Sequence, residues 1–230
     1  RGAGEGALQI VVTVPRLAQG ETASAILTFA ITKRPIAAPE STAGLAPPRR
    51  PDRALREYLS ASPMIESGDR TIRSLAEEIA GDAGEGWDRA ERLYDWVREN
   101  ITYKEGELKG ALAALRDRDG DCEEMTSLFV GLCRASGIPA RTVWVPGHCY
   151  PEFYLEDSAG AGHWYPCQAA GSRAFGEMPE TRPILQKGDN FRLPELREPQ
   201  RYAQVVLKSS GARGTVQPRV QHVLRRAAGE

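Results

Sequence analysis

The stretch "DRDGDCEEMTSLFVGLCRASGIPAR", Asp117 to Arg141, decides how this chain folds. Asp121 fits as an N-cap, and Glu124, three residues on, completes the reciprocal pairing of a capping box. Met125, Leu128, Phe129, Leu132 and Cys133 recur at 0, 3, 4, 7 and 8, the buried stripe of an amphipathic helix. Gly137 is a natural residue just past the helix end, with Pro139 two beyond it. The spacing therefore predicts a helix that opens at Cys122. A thiol in that first turn faces unpaired amides and the positive end of the helix dipole, which favour a thiolate. Cys133, deep in the stripe, reads as core instead.

Outward from this helix, Ile72, Leu75, Ala76 and Ile79 repeat with helical period up to Gly81, as do Ala90, Leu93, Tyr94 and Val97. "LKGALAAL" is a shorter helical piece. After the cysteine helix, "ARTVWVPG" reads as a strand, and "HCYPEFYLE", "DSAGAG" and "HWYPCQ" as a hairpin. "NFRLPE" and "YAQVVLK" are candidate late strands. At the other end, residues 8–14 (LQIVVTV) and 24–32 (SAILTFAIT) are rich in β-branched residues and predict two strands. Helices grouped between strands, without βαβ alternation, predict an α+β fold.

The chain has 230 residues, formal net charge -1 and 41% hydrophobic content, enough for one sizeable core. No basic stripe points to nucleic acid, and no apolar run approaches the roughly 18 residues of a transmembrane helix. A start at Arg1, without a signal-peptide pattern, reads as a mature form or a fragment. The four cysteines, Cys122, Cys133, Cys149 and Cys167, are spaced by 11, 16 and 18 with no C-x-x-C pair, which argues against a structural zinc site. No metal and no cofactor is expected, and Cys122 with His148 lacks metal-ligand spacing.

A base for Cys122 must come from His148, His163 or His222. His222 lies near the chain end and His163 opens a strand beside a turn, so both read as solvated. His148 begins the second strand after the cysteine helix, a topology that brings an imidazole to the helix N-terminus.

"GDC" opening a helix, "LCRASGIPARTV" ending it, "HCYPEF" starting 26 residues after the cysteine and the upstream "YDWVRENITY" resemble the transglutaminase-like superfamily over about residues 70 to 170. The resemblance implies a papain-like core in which a cysteine-bearing helix packs on an antiparallel β-sheet. It also implies a Cys-His-Asp triad that acylates its thiol from an amide or ester, then passes the acyl group to water or an amine. Cys122 and His148 map onto the motif, and the N–H of Cys122 is the expected oxyanion donor. The third position departs: "WYPCQ" places Gln168 where the superfamily has aspartate. An amide oxygen still accepts an imidazole N–H, as in Cys-His-Asn enzymes. Asp157 reaches the site only if the hairpin bends strongly, and Glu152 reads as structural.

The expected organisation is a β-strand appendage over 1–33, a Pro-rich linker over 34–52, a transglutaminase-like domain over 53–210 and a flexible tail over 211–230. The function implied is thiol-dependent acyl transfer on a peptide or protein substrate through Cys122, His148 and Gln168. Hydrolysis is preferred because calcium-free, bacterial-type members of the superfamily are often proteases. The alternative is a degenerate homologue serving as a binding or scaffolding module. If His148 and Gln168 share one sheet face, Cys149 and Cys167 share the other; two core thiols is the default reading, and the right register would allow a disulfide between them. Such a bond would place the chain in an oxidising compartment. A secreted or periplasmic setting is the preferred reading, with the compartment left open. Trp144 and Trp164 flank the site in sequence, Tyr103 precedes it, and Arg141 reads as a structural salt link.

Overall fold

The computed structural model describes residues 10–84, 86–211 and 213–225. Its elements run α1 (Arg53–Glu57), α2 (Arg70–Ala80), α3 (Trp87–Asn100), β1 (Thr102–Tyr103), α4 (Gly110–Asp117), β2 (Asp119–Gly120), α5 (Cys122–Ala135), β3 (Ala140–Val145), β4 (His148–Glu156), β5 (Gly162–Pro166) and β6 (Gln186–Lys187). The architecture is α+β, as expected, with the cysteine-bearing helix packed on an antiparallel sheet of order β5-β4-β3-β6. β1 and β2 form a separate two-stranded parallel pair directly ahead of α5.

The periodicities place α2, α3, α4 and α5 where the apolar stripes fall. α5 differs from the expectation in one respect: it is buried all round from Glu124 to Arg134, not along a single stripe. The reason is its central position, with α2, α3 and α4 against one side and β3 and β4 against the other. An aromatic cluster of Trp87, Phe129, Phe153, Tyr165 and Phe175 fills the space between α3, α5 and the sheet. The opposite sheet face carries a smaller core of Val143, Val145, Tyr150 and Met178.

A buried arginine joins the layers. Arg134, near the end of α5, donates to both carboxylate oxygens of Asp189 at 2.8 Å, to the Ala140 carbonyl, to the Ser60 carbonyl and to Ser62 Oγ. Asp189 also accepts from the Thr142 backbone N–H and from Ser62. Every polar atom of the pair therefore has a partner, which is what makes a buried ion pair tolerable. The Arg141–Glu152 salt link takes the structural role expected of it, bridging β3 and β4, with Lys187 of β6 on the same carboxylate. Asp157 caps the β4–β5 turn by accepting from the N–H groups of Ala159 and Ala161, well away from any triad position.

Two expectations are corrected. Residues 10–14 and 24–32 form no strand; Ile26 is 91% exposed, and neither segment has a ladder partner. Residues 8 and 9 of the first lie outside the described residues. Strand propensity without a second strand to pair with leaves extended chain. The late strands expected at "NFRLPE" and "YAQVVLK" are likewise absent: that region contributes only an isolated bridge between Phe191 and Gln200, while the edge strand is Gln186–Lys187. The default reading of Cys149 and Cys167 as two core thiols holds, and the conditional disulfide does not form. All four cysteines are free, and the register pairs Glu152 with Pro166, so Cys167 stands across from Pro151, two residues from Cys149. The Pro-rich stretch 34–52 runs on the surface but is tied down, with Ile36 bridging Met178, Ala46 bridging Glu156 and Leu45 buried.

Removing one partner of the Arg134–Asp189 pair leaves an unpaired buried charge, at a cost of about 3–5 kcal/mol. Arg134→Ala and Asp189→Ala should each lower the urea midpoint accordingly. Arg134→Met with Asp189→Leu should recover part of the loss.

Candidate functional site

Cys122 is set by its own helix start. Asp121 accepts from the backbone N–H of Glu123, and Glu124 reaches back to the N–H of Asp121 at 3.2 Å, closing the expected capping box. The same Glu124 carboxylate accepts the N–H of Lys109, which anchors the loop before α4. Gly120 is required for this closure, since a Cβ at that position would lie 2.4 Å from Glu124 Cβ. The N–H of Cys122 belongs to the first turn, where no carbonyl one turn back can receive it.

His148 is set by the β3–β4 hairpin. It pairs with Val145 across a two-residue turn of Pro146 and Gly147, the glycine taking φ +69. The turn brings the imidazole to the α5 N-terminus, where it hydrogen-bonds the Cys122 thiol. On its other side His148 Nε2 lies 3.2 Å from Gln168 Oε1. An amide oxygen only accepts, so Nε2 carries the proton in this contact and Nδ1 is left for the thiol.

Gln168 is held from behind by α3. Its carbonyl accepts from Tyr94 OH and from Arg98 Nη1, both at 2.9 Å, and its N–H donates to the Ala174 carbonyl. The three residues singled out from the sequence are thus brought into one hydrogen-bonded row, Cys122–His148–Gln168. His163 and His222 are exposed and stand apart from it.

The sequence did not reveal the role of Cys149. Its thiol lies 3.4 Å from the Cys122 carbonyl oxygen and hydrogen-bonds the Cys122 sulfur. That bond is the largest influence drawing the Cys122 thiol down to about 4; burial opposes it, and the His148 imidazole and the Cys149 N–H add to it. Burial pulls His148 down most strongly, but its bonds to Cys122 and Gln168 together outweigh that and leave it above its ordinary 6.5. Burial, then the neighbouring Cys122, push the Cys149 thiol well up. The pair is therefore arranged for a thiolate at Cys122, an imidazolium at His148 and a neutral thiol at Cys149.

Two arginines frame the row. Arg182 donates to the Pro146 carbonyl at 2.8 Å and pairs with Glu180, and its charge is felt at both Cys122 and His148. Arg201 pairs with Glu123, the residue after the cysteine, and lies over the Trp144 ring, with Tyr202 against the same indole. Both arginines lie tens of residues beyond the motif, with no local pattern to mark them. Trp164 takes no part: it stacks on Arg141 and packs against Tyr58 and Tyr154. Among the described residues, no three His, Cys, Asp or Glu side chains gather as a metal-holding cluster. No described helix is long and apolar enough to cross a membrane.

Residues 73–169, the stretch that holds α3, α5 and the whole row, match the family model of the transglutaminase-like superfamily. Over these residues the chain is similar to that superfamily. An "Uncharacterized protein" of Haemophilus influenzae is 27% identical, over 50% of this chain and 40% of its own length. The chain thus spans less than half of that curated relative. The crystal structure of "a Putative Cysteine Protease" from Cytophaga hutchinsonii is 25% identical with a TM-score of 0.44, covering 51% of this chain and 42% of the other. "A putative protease" from Parabacteroides distasonis is 14% identical with a TM-score of 0.35, covering 53% and 29%.

Iodoacetamide should label Cys122 rapidly at pH 6, while Cys133 and Cys167, buried and with thiols pushed up, stay unlabelled in the folded protein. His148→Ala and Cys149→Ala should each move the labelling curve of Cys122 to higher pH. Labelling of wild-type Cys122 only above about pH 8, read by peptide mass spectrometry, would contradict the assignment.

Proposed function

We propose that this domain catalyses thiol-dependent acyl transfer on peptide or amide bonds, with Cys122 as nucleophile, His148 as general acid and base, and Gln168 orienting the imidazole. The observation that carries the reading is the continuous row from the Cys122 thiol through His148 to Gln168 Oε1. The Cys122 thiolate attacks the carbonyl carbon, and the oxyanion forms beside the free N–H of Cys122 at the positive end of α5. The His148 imidazolium gives its Nδ1 proton to the leaving amine, so the C–N bond breaks and a thioester remains. Neutral His148 then takes a proton from the incoming water or amine, which releases the acyl group and restores the thiolate–imidazolium pair.

Water is the preferred acceptor, so we assign the chain to peptide or amide hydrolysis. Gln168 serves where the superfamily has aspartate because the ion pair of Cys122 and His148 already exists before substrate binds. A buried carboxylate is then less needed to stabilise the imidazolium than in a serine triad, where the charge must be created during attack. The second reading, a catalytically silent binding module, has this same substitution as its support. The substrate-facing unit in either case is the 53–210 domain.

Turnover of fluorogenic peptide amides decides between the two. Cys122→Ala should abolish it, and His148→Ala should lower kcat by about 10²–10⁴-fold. A wild-type protein that alkylates at pH 6 but cleaves and transfers nothing across a broad peptide library supports the module.

The pH profile should be a bell. Its acid limb rises as Cys122 loses its proton near 4, and its alkaline limb falls as His148 loses its proton above 6.5. Gln168→Ala removes a bond that raises His148, so the alkaline limb should move to lower pH. Gln168→Asp places a negative charge beside the imidazolium and should move that limb to higher pH. An alkaline limb unmoved by both substitutions would remove Gln168 from the mechanism.

A further inference from the structure

We propose that Cys149 is a resolving thiol: a small hydroperoxide oxidises Cys122, and Cys149 then closes on it to form a reversible Cys122–Cys149 disulfide. This rests on the nucleophile reading above, since it needs Cys122 to react as a thiolate.

The geometry singles out this pair. Of the three other cysteines, Cys149 alone touches the nucleophile: its sulfur is 3.4 Å from the Cys122 carbonyl oxygen and hydrogen-bonded to the Cys122 sulfur. Cys167 turns its sulfur to the Pro151 carbonyl at 3.9 Å, and Cys133 is sealed in the main core. The two thiols come from different elements, the first turn of α5 and the start of β4, so they face each other across a packed interface. Cys149 is 1% exposed and Cys122 is part-exposed, so oxidant from solvent meets Cys122 first. A nucleophile open to solvent with a second thiol behind it is the arrangement of a redox-sensing cysteine and its resolving partner.

The chemistry balances with a hydroperoxide as the only added reagent. The Cys122 thiolate attacks the terminal peroxide oxygen; an S–O bond forms, the O–O bond breaks, and the alkoxide leaves with the His148 proton as an alcohol. The sulfur is oxidised by two electrons to sulfenic acid and the peroxide is reduced. Cys149 sulfur then attacks Cys122 sulfur; the S–S bond forms, the S–O bond breaks, and hydroxide departs with the Cys149 proton as water. The timing follows from electrostatics. While Cys122 is a thiolate, burial and that neighbouring charge hold the proton on Cys149. Once Cys122 is a neutral sulfenic acid that repulsion is gone, and the proton that burial still keeps on Cys149 passes to the departing hydroxide as the S–S bond forms. The disulfide stops the climb to sulfinic acid, which is irreversible for ordinary cysteines. It also hides both sulfurs from substrate, so oxidation switches the site off until a dithiol restores it.

The test treats the full chain with a few equivalents of hydrogen peroxide, then blocks remaining thiols with N-ethylmaleimide under denaturing conditions. Digestion with trypsin and a glutamyl endopeptidase separates Cys122 from Cys133 at Glu123 and Glu124, and Cys149 from Cys167 at Glu152 and Glu156. The expected product is a Cys122–Cys149 linked peptide that dithiothreitol dissolves, with rapid labelling of Cys122 at pH 6 returning. In Cys149→Ala, the irreversibly oxidised fraction of Cys122 should rise about tenfold at the same peroxide dose. Wild-type Cys122 passing to sulfinic acid while Cys149 remains a maleimide-labelled thiol overturns the proposal, and this arm needs no variant. Rapid labelling at pH 6 without any disulfide sinks the resolving role alone. Slow labelling at pH 6 together with resistance to peroxide sinks the nucleophile as well.

Discussion

The buried Arg134–Asp189 pair is the constraint on which the other parts depend. An amphipathic helix on a sheet is free to slide and rotate if only apolar contacts hold it, because those contacts are non-directional. Arg134 removes that freedom. Its planar fork is engaged by Asp189, by the Ala140 carbonyl at the start of β3 and by Ser60 and Ser62 in the loop after α1. Each of those partners is itself fixed in the backbone, so the end of α5 is located along the sheet to within hydrogen-bond tolerance. With that end fixed and the helix rigid over fourteen residues, the position of Cys122 at the other end is fixed too.

The site is then the meeting of three independently held pieces. α5 delivers the thiol and the unpaired first-turn amides, the β3–β4 hairpin delivers His148, and the chain after β5 delivers Gln168, pinned by Tyr94 and Arg98 of α3. The backbone of each piece is held without the other two, while the His148 ring lies between Cys122 and Gln168. That independence matters for a charged pair, because a preorganised partner requires no rearrangement when charge moves between sulfur and imidazole. It also explains how a glutamine stands at the third position without disturbing the row: its backbone, not its side chain, is what the fold grips.

Cys149 shows how the same packing that builds the site adds a second sulfur to it. Residues on β4 alternate between faces, so next to His148 there must be a residue directed at α5. In this chain that residue is a cysteine. Its thiol lies against Cys122, and the joint oxidation proposed for the two sulfurs would act through this one contact between α5 and β4.

Local chemistry along the chain determined helices α2 to α5, the capping box at Asp121 and Glu124 and the β3–β4–β5 order, and it singled out Cys122 and His148 as candidates, because each depends on residues within a few positions of one another. Parity along the strands also held: Cys149 and Cys167 do lie on one side of the sheet, yet the register sets them two residues apart, and register depends on how a whole hairpin packs. Segments 10–14 and 24–32 have strand composition but no partner, and β6, only two residues long, has a partner but no composition to announce it. The Arg182–Pro146, Arg201–Glu123 and Cys149–Cys122 contacts join residues 36, 78 and 27 positions apart. Composition and period speak only for a residue and its near neighbours. Pairing across the chain depends on which surfaces the core brings together, and that was decided by the tertiary structure alone.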